Sequence, residues 1–162
     1  MNASVRAFVG LGGNLGDAVA TLRSALQSLD QLPGTRLLRA SRLYRTPAWG
    51  NTEQPDFVNA AALLHTTLDA RALLEGLLGI ERSFGRERRE RWGPRVLDLD
   101  LLLHGDAIID EPGLHVPHPH LTERAFALLP LLEIDPEVII PAYGPAQAAL
   151  AALAYEGIEA VR

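Results

Sequence analysis

The residues best suited to chemistry lie between Gly85 and Asp100, where arginines lead into two aspartates. Asp98 and Asp100 are two positions apart in an apolar run that predicts a strand, so their side chains share one face, about 6.6 Å apart. Mg²⁺ is usually held by one or two carboxylates, with water and substrate phosphates as further ligands. The side chains before them comprise five arginines and one tryptophan: Arg86, Arg88, Arg89, Arg91, Trp92 and Arg95.

Guanidinium groups form planar, charge-assisted hydrogen bonds with phosphate oxygens. Arginines next to paired carboxylates therefore indicate a site for a polyphosphate and its metal ion. The alternative is a solvated basic loop followed by a strand whose aspartates face water, since charge runs are often solvated faces. Spacing alone does not decide between the two interpretations.

Composition limits the remaining possibilities. The 162 residues, 48% hydrophobic and 22% charged, indicate one globular domain over 1–162. A net charge of −5 argues against nucleic-acid or membrane partners, and no apolar run reaches the ~20 residues that span a bilayer. There is no Cys for disulfides or thiolate chemistry and no Lys for a Walker motif or a Schiff base. Because the first residues show no signal-peptide pattern, we expect a cytoplasmic protein, and a monomer.

Hydrophobic periodicity predicts the element order β-α-β-β-α-β, which is that of an α+β fold: a ferredoxin-like antiparallel sheet with helices packed on it. Asp17 and Asp69 are the expected helix N-caps. We further expect a hairpin in which 107–110 returns onto the strand 97–103, a helical segment 125–132 broken by Pro130, and a last helix from Ala146 to about Tyr155. The four expected core strands are Val5–Leu11, Thr35–Thr46, Phe57–Thr67 and Leu97–Leu103.

Two other groups of residues are candidates for binding. Gly10 and Gly12 follow a strand, but Leu15 stands where a dinucleotide-binding fingerprint needs Gly or Ala. A bent loop with positive φ is the favoured interpretation over direct phosphate binding. The histidines at 115, 118 and 120 lack a zinc motif. A histidine donating to an anion, near Arg124, fits better.

The residues by themselves therefore support a metal-dependent enzyme that acts on a phosphorylated substrate. The alternative is a small Arg-rich α+β domain that binds nucleic acid without catalysis, using 86–95 and Trp92. The negative net charge and the adjoining aspartates argue against it.

In colinear order over nearly its whole length, the chain resembles the 6-hydroxymethyl-7,8-dihydropterin pyrophosphokinases of folate biosynthesis. The most specific block is Gly85-Arg86-x-Arg88 with Arg91-Trp92-Gly93-Pro94-Arg95-x-Leu97-Asp98-Leu99-Asp100. Supporting motifs are Gly12-x-Asn14-Leu15, Tyr44-Arg45-Thr46-Pro47, Gln54-Pro55-Asp56-Phe57-x-Asn59-Ala60-Ala61, Val116-Pro117-His118 and Arg124-x-Phe126.

The resemblance implies transfer of pyrophosphate from ATP to the 6-hydroxymethyl group of 7,8-dihydropterin, with release of AMP. It implies that Asp98 and Asp100 hold two Mg²⁺ ions and that Arg86 and Arg95 act on the phosphates in catalysis. The other residues implied on the ATP side are Arg88, Trp92, His118 and Arg124.

On the pterin side the resemblance implies that Thr46 and Pro47 form part of the pocket wall. It also implies that Phe57 and Phe126 stack on the pterin ring and that the Asn59 amide contacts the edge of the ring. From residue pattern alone, Asn59 reads as a satisfied core group, so here the resemblance changes the interpretation. Phe57 stands where some members have tyrosine. Trp49 and Pro119 also differ from the family pattern. The resemblance therefore does not define how the pocket loop closes or whether one of the ATP contacts is made.

Overall fold

The structure, a computed structural model, describes residues 3–47, 55–85 and 96–161. No helix in these ranges is long and apolar enough to cross a membrane. The helices are α1 Ala18–Asp30, α2 Ala70–Ser83, α3 Ala125–Ile134 and α4 Ala146–Ala151. The strands are β1 Val5–Gly13, β2 Thr35–Ala40, β3 Tyr44–Thr46, β4 Phe57–Thr66, β5 Asp98–His104, β6 Ile109–Glu111, β7 Leu114–Val116, β8 Ile139–Ile140, β9 Gly144–Pro145 and β10 Glu159–Ala160.

The main sheet is antiparallel, and its strands run in the order β10-β3-β4-β1-β5. β2 also pairs with β4, so β2 and β3 lie end to end along the same side of β4. The expected single strand Thr35–Thr46 is therefore interrupted. At the break the Ser41 hydroxyl accepts the Ala61 N–H at 2.9 Å, a role that a backbone carbonyl fills in a continuous ladder. The predicted antiparallel sheet with packed helices is confirmed.

Both faces of the sheet are covered because alternate residues of β4 point to opposite sides. Val58, Ala60, Ala62 and Leu64 belong to the core that includes leucines of α1 and α2. Ala61 and Leu63 belong to a second core with Leu128 and Leu131 of α3. We call the latter side the α3 face.

The two long helices begin where the sequence predicts. The Asp17 carboxylate accepts the Ala20 N–H at 3.1 Å, and the Asp69 carboxylate accepts the Ala72 N–H at 2.8 Å. Each side chain satisfies one N–H that the first helical turn would otherwise leave without a partner. Both predicted N-caps are confirmed.

Three expectations about the C-terminal half are wrong in detail. The hairpin is formed by β6 and β7 with each other, not by a return onto β5. α3 continues through Pro130 to Ile134. Pro130 has no N–H to donate to the Phe126 carbonyl, but its ring is buried along with Leu131 and Ile134, and this burial favours the continuous helix. The last helix, α4, ends at Ala151 rather than near Tyr155.

A polar cluster joins β3 and Arg42, which precedes it in the chain, to the C-terminal end of α3. The Glu133 carboxylate accepts hydrogen bonds from the Tyr44 hydroxyl and from the backbone N–H of Arg42, the latter at 2.8 Å. It also forms an ion pair with the Arg42 guanidinium at 3.1 Å. Burial raises the pKa of Glu133, but the hydrogen bonds from Tyr44 and Arg42 outweigh it, so the pKa lies below its ordinary value.

We expect Glu133→Gln to lower the free energy of unfolding at pH 7, by less than about 1 kcal/mol because the pair is partly solvated. Since the folded pKa is below the ordinary 4.5, the carboxylate stabilises the fold above pH 4.5 and loses this effect as the pH falls through the folded pKa. The difference in free energy of unfolding between the variant and the wild type should therefore become smaller in acid. Urea unfolding at pH 7 and pH 3.5 measures it, with the exposed Glu137→Gln as the control. A gap that does not depend on pH would contradict this account.

Candidate active site

The two aspartates that open β5 point towards the α3 face. Leu99 and Leu101 are buried in the opposite core, so strand alternation places the side chains of Asp98 and Asp100 together on the other side. Within the described ranges no three His, Asp or Glu side chains converge as metal ligands. In proteins Mg²⁺ is usually held by one or two carboxylates together with water and substrate phosphates, so a pair of aspartates suits it.

A row of three cross-strand partners runs from the aspartates to the middle of the sheet. Asp98 is opposite Gly12 of β1, and Gly12 is opposite Asn59 of β4. Directly paired residues share a face, and two strand spacings separate Asp98 from Asn59 by about 10 Å. Gly12, which has no side chain, is thus the residue that separates the carboxylate from the amide on this face.

Gly10 and Gly12 lie in a regular strand rather than in a bent loop, and Gly12 is needed for close approach. Gly10 and Gly12 lie inside the strand, and neither is among the described residues with positive φ. A Cβ at Gly12 would lie 2.8 Å from the Asn59 Oδ1, closer than packing allows. The favoured prediction of a positive-φ loop is therefore wrong for these two positions.

Two of the residues predicted for the pterin side, Thr46 and Phe57, lie near Asn59. Thr46 of β3 pairs with Phe57 of β4, and the Asn59 amide lies 3.5 Å from the Thr46 hydroxyl. Asn59 is only 8% exposed. Nearby, the Asn14 side chain donates to the Pro55 carbonyl at 3.1 Å, which attaches the start of β4 to the end of β1.

His118 lies beside the aspartates as a neutral imidazole. Its backbone N–H donates to the Leu102 carbonyl of β5 at 2.9 Å. Burial, and then the positive charges of Arg124 and of the other histidines at 120 and 115, lower its pKa to about 4. Nδ1 accepts the His120 N–H at 3.2 Å, so the ring proton is on Nε2. Nε2 lies 3.9 Å from the Asp100 carboxylate, too far for a hydrogen bond, and a neutral ring makes no ion pair.

Arg124 and Phe126 lie together at the start of α3. The Arg124 guanidinium is 5.7 Å from the centre of the Phe126 ring, a cation–π distance. Both line a cleft of about 120 Å³ whose other wall is Leu153, Ala154, Tyr155 and Ile158. Thus a residue implied on the ATP side and one implied on the pterin side are immediate neighbours. Phe57 and Phe126, the expected stacking pair, make no direct ring contact within the described ranges.

Four predicted site residues lie outside the described residues: Arg86, Arg88, Trp92 and Arg95. Their places in the site remain predictions. The same holds for Trp49 on the pocket loop.

The chain is similar to proteins of one known family. Residues 8–136 match the family described as 7,8-dihydro-6-hydroxymethylpterin-pyrophosphokinase. The chain belongs to this family. Two curated proteins named 2-amino-4-hydroxy-6-hydroxymethyldihydropteridine pyrophosphokinase are similar along almost their full length. The one from Methylorubrum extorquens is 46% identical, covering 96% of this chain and 98% of its own. The one from Pseudomonas aeruginosa is 44% identical, covering 95% of each.

Solved structures show the same fold at low identity. Wild-type Plasmodium falciparum HPPK-DHPS is 15% identical, with a TM-score of 0.72 over 93% of this chain. The chain spans less than half of that protein, 41% of its length. The nucleic-acid-binding alternative receives no support from these pyrophosphokinase relatives.

In this pyrophosphokinase one buried acid near the aspartates was not predicted as a site residue. Glu81, in the last turn of α2, is 2% exposed, and its carboxylate accepts the Leu99 N–H at 2.7 Å. Leu99 stands between the two aspartates on β5, the last strand in the order of the main sheet. The acid therefore stabilises the backbone that spaces the pair. An acid among the apolar positions of α2 was the sequence signal for it.

We expect Glu81→Ala to lower the free energy of unfolding by about 1–3 kcal/mol, because it removes a buried acceptor from the Leu99 N–H. Glu81→Gln keeps an acceptor oxygen of nearly the same size and should be the milder change. Urea unfolding of the two variants measures the difference. If alanine and glutamine destabilise equally, the hydrogen bond is not the source of the effect.

Proposed function

We propose that this chain transfers the pyrophosphoryl group of ATP to the 6-hydroxymethyl group of 7,8-dihydropterin and releases AMP. The observation that carries the proposal is the row Asp98–Gly12–Asn59, which places a carboxylate of the acidic pair and a buried amide on one face of the sheet. The pyrophosphokinase relatives, matched over nearly their whole length, support the same reaction.

In this reaction the hydroxymethyl oxygen attacks the β-phosphorus of ATP. The bond from that phosphorus to the oxygen shared with the α-phosphate breaks, AMP leaves, and the hydroxyl proton is lost. Such a step depends mainly on positioning and on neutralising phosphate charge. Bound Mg²⁺, two ions in our proposal, would supply that neutralisation, and Asp98 and Asp100 are the residues to hold it.

His118 and Arg124 are proposed to bind the nucleotide phosphates. The neutral His118 ring presents its Nε2–H near Asp100, where it can donate to a phosphate oxygen. Arg124 supplies a charged donor at the start of α3. Arg86 and Arg95 are proposed as the catalytic arginines, with Arg88 and Trp92 beside them on the ATP side.

The dihydropterin is proposed to lie between aromatic faces with its polar edge towards Asn59. A buried amide offers both a donor and an acceptor to a heterocycle that carries both. Phe57 and Phe126 are the stacking candidates, and Thr46 and Pro47 the wall. These assignments agree with the convergence of Thr46, Phe57 and Asn59 on adjoining strands.

We also propose that the strand order (β2/β3)-β4-β1-β5, with α1 and α2 on one face, is a ferredoxin-like arrangement. Residues 1–162 would then form one domain. A monomeric, cytoplasmic enzyme remains our proposal for its state and location.

Phosphorus-31 NMR of the reaction mixture tests the proposed chemistry. With ATP, Mg²⁺ and the hydroxymethyl-dihydropterin, we expect one new diphosphate ester and AMP in equal amounts. Accumulation of ADP with a monophosphate ester would show transfer of a single phosphoryl group and would contradict the proposal.

A further inference from the structure

The C-terminal segment, residues 152–161, runs back from α4 to the sheet edge that carries two proposed pterin-side residues. Its strand β10 pairs with β3, with Glu159 opposite Arg45 and Ala160 opposite Tyr44. The Val161 N–H donates to the Leu43 carbonyl at 2.7 Å. The segment is thus attached to the strand that ends in Thr46.

Within this segment, Gly157 lies directly against Pro47. Its φ of +77° is a conformation that favours glycine. A Cβ built on Gly157 would lie 3.2 Å from the Pro47 Cγ and 3.3 Å from the Cδ, closer than ordinary packing allows. One side of Pro47 therefore rests on the Gly157 backbone.

The same segment also lines the cleft next to Phe126. Leu153, Tyr155 and Ile158 form one wall, and Arg124 and Phe126 lie on the other. Six residues, 153–158, therefore contact Pro47 on the β3 side and face Phe126 on the α3 side. These are the two places where the proposed function puts the dihydropterin pocket.

We infer that residues 153–158 position the dihydropterin pocket by setting how Pro47 and Phe126 lie relative to each other, with Gly157 and Tyr155 as the positioning residues. A flat ring held by stacking and wall contacts depends on such spacing. This inference rests on the proposed function and adds residues to its pterin side. In the strand order, β10 and β5 lie at opposite ends, so the aspartates of the metal site should be affected little. Of the described residues proposed to bind phosphate, Arg124 borders the segment.

Gly157→Ala tests the inference, with Gly113→Ala as a matched control. Gly113 has nearly the same φ, +75°, but nothing lies within 4 Å of its added Cβ. Both changes strain the backbone alike, and only the first moves Pro47. We expect Gly157→Ala to raise the KM for the dihydropterin roughly three- to tenfold, with the KM for ATP and kcat within about twofold of wild type. Gly113→Ala should leave all three near the wild-type values.

Tyr155→Ala provides a second test that does not strain the backbone. Tyr155 is 44% exposed, so its removal should leave the core intact while opening the cleft wall. We expect isothermal titration to show a larger loss of affinity for the dihydropterin than for a non-hydrolysable ATP analogue, although Tyr155 shares the cleft with Arg124. If Gly157→Ala does not fold, this variant alone tests whether residues 153–158 position the dihydropterin pocket.

Three results would overturn the inference: unchanged dihydropterin affinity in both variants, equal losses for dihydropterin and ATP, or the same effect from Gly113→Ala. Failure of the proposed function has a different signature. In that case the wild-type protein itself releases no AMP and binds no dihydropterin. The inference, which rests on the proposed function, is then also contradicted.

Discussion

Asp98→Ala and Asp100→Ala should each lower kcat by about 10³-fold or more, since each removes a charged ligand of the proposed Mg²⁺ site. Both side chains lie on the α3 face of β5, so neither substitution disturbs the core formed by Leu99 and Leu101. Dihydropterin binding should persist, because Asn59 is two strands away. Steady-state kinetics and isothermal titration measure the two effects.

Asp106→Asn is the control for this prediction. Asp106 is an exposed acid just beyond the end of β5, and its substitution should leave kcat unchanged. If the control lowers kcat as much as the site variants do, net charge rather than metal binding is responsible. If Asp98→Ala and Asp100→Ala abolish dihydropterin binding as well, the separation between the two halves of the site is wrong.

Asn59→Ala should raise the KM for the dihydropterin by about ten- to a hundredfold, since the pterin edge would lose partners worth about 1–3 kcal/mol. Gly12→Ala should act in the same direction, because its Cβ would lie 2.8 Å from the Asn59 Oδ1 and displace the amide. The KM for ATP should change much less. Kinetics with each substrate varied in turn measure both values.

Thr66→Val is the matched control for Asn59→Ala. Thr66 is buried near the other end of β4, and its hydroxyl bonds to Thr35 at 2.7 Å and accepts the Leu68 N–H at 3.1 Å. The substitution removes buried hydrogen bonds from the same strand but should affect stability only. A rise in the dihydropterin KM equal to that of Asn59→Ala would make Asn59 a structural residue, as the residue pattern alone indicated.

The features that local chemistry determines were predicted correctly from the sequence. The helix starts at Asp17 and Asp69 follow from side chains that cap their own first turn. The shared face of Asp98 and Asp100 follows from the two-residue period of a strand. Neither feature depends on what the rest of the chain does.

Features that depend on contacts between residues far apart in the sequence could not be predicted in the same way. The role of Gly12 arises only when β1 is paired with β4 in the register that brings Asn59 opposite. β10 has only two residues, too few to show periodicity, yet it determines where Gly157 lies. The continuation of α3 through Pro130 reflects burial in the second core, which outweighs the local preference of proline.

AMP formation measured with and without the hydroxymethyl-dihydropterin tests the central claim most directly. Purified protein, ATP and Mg²⁺ should yield AMP only when the dihydropterin is added, and chelation of Mg²⁺ should stop the reaction. We expect one AMP for each dihydropterin consumed. Absence of AMP with both substrates and Mg²⁺ present, or AMP release that does not need the dihydropterin, would contradict it.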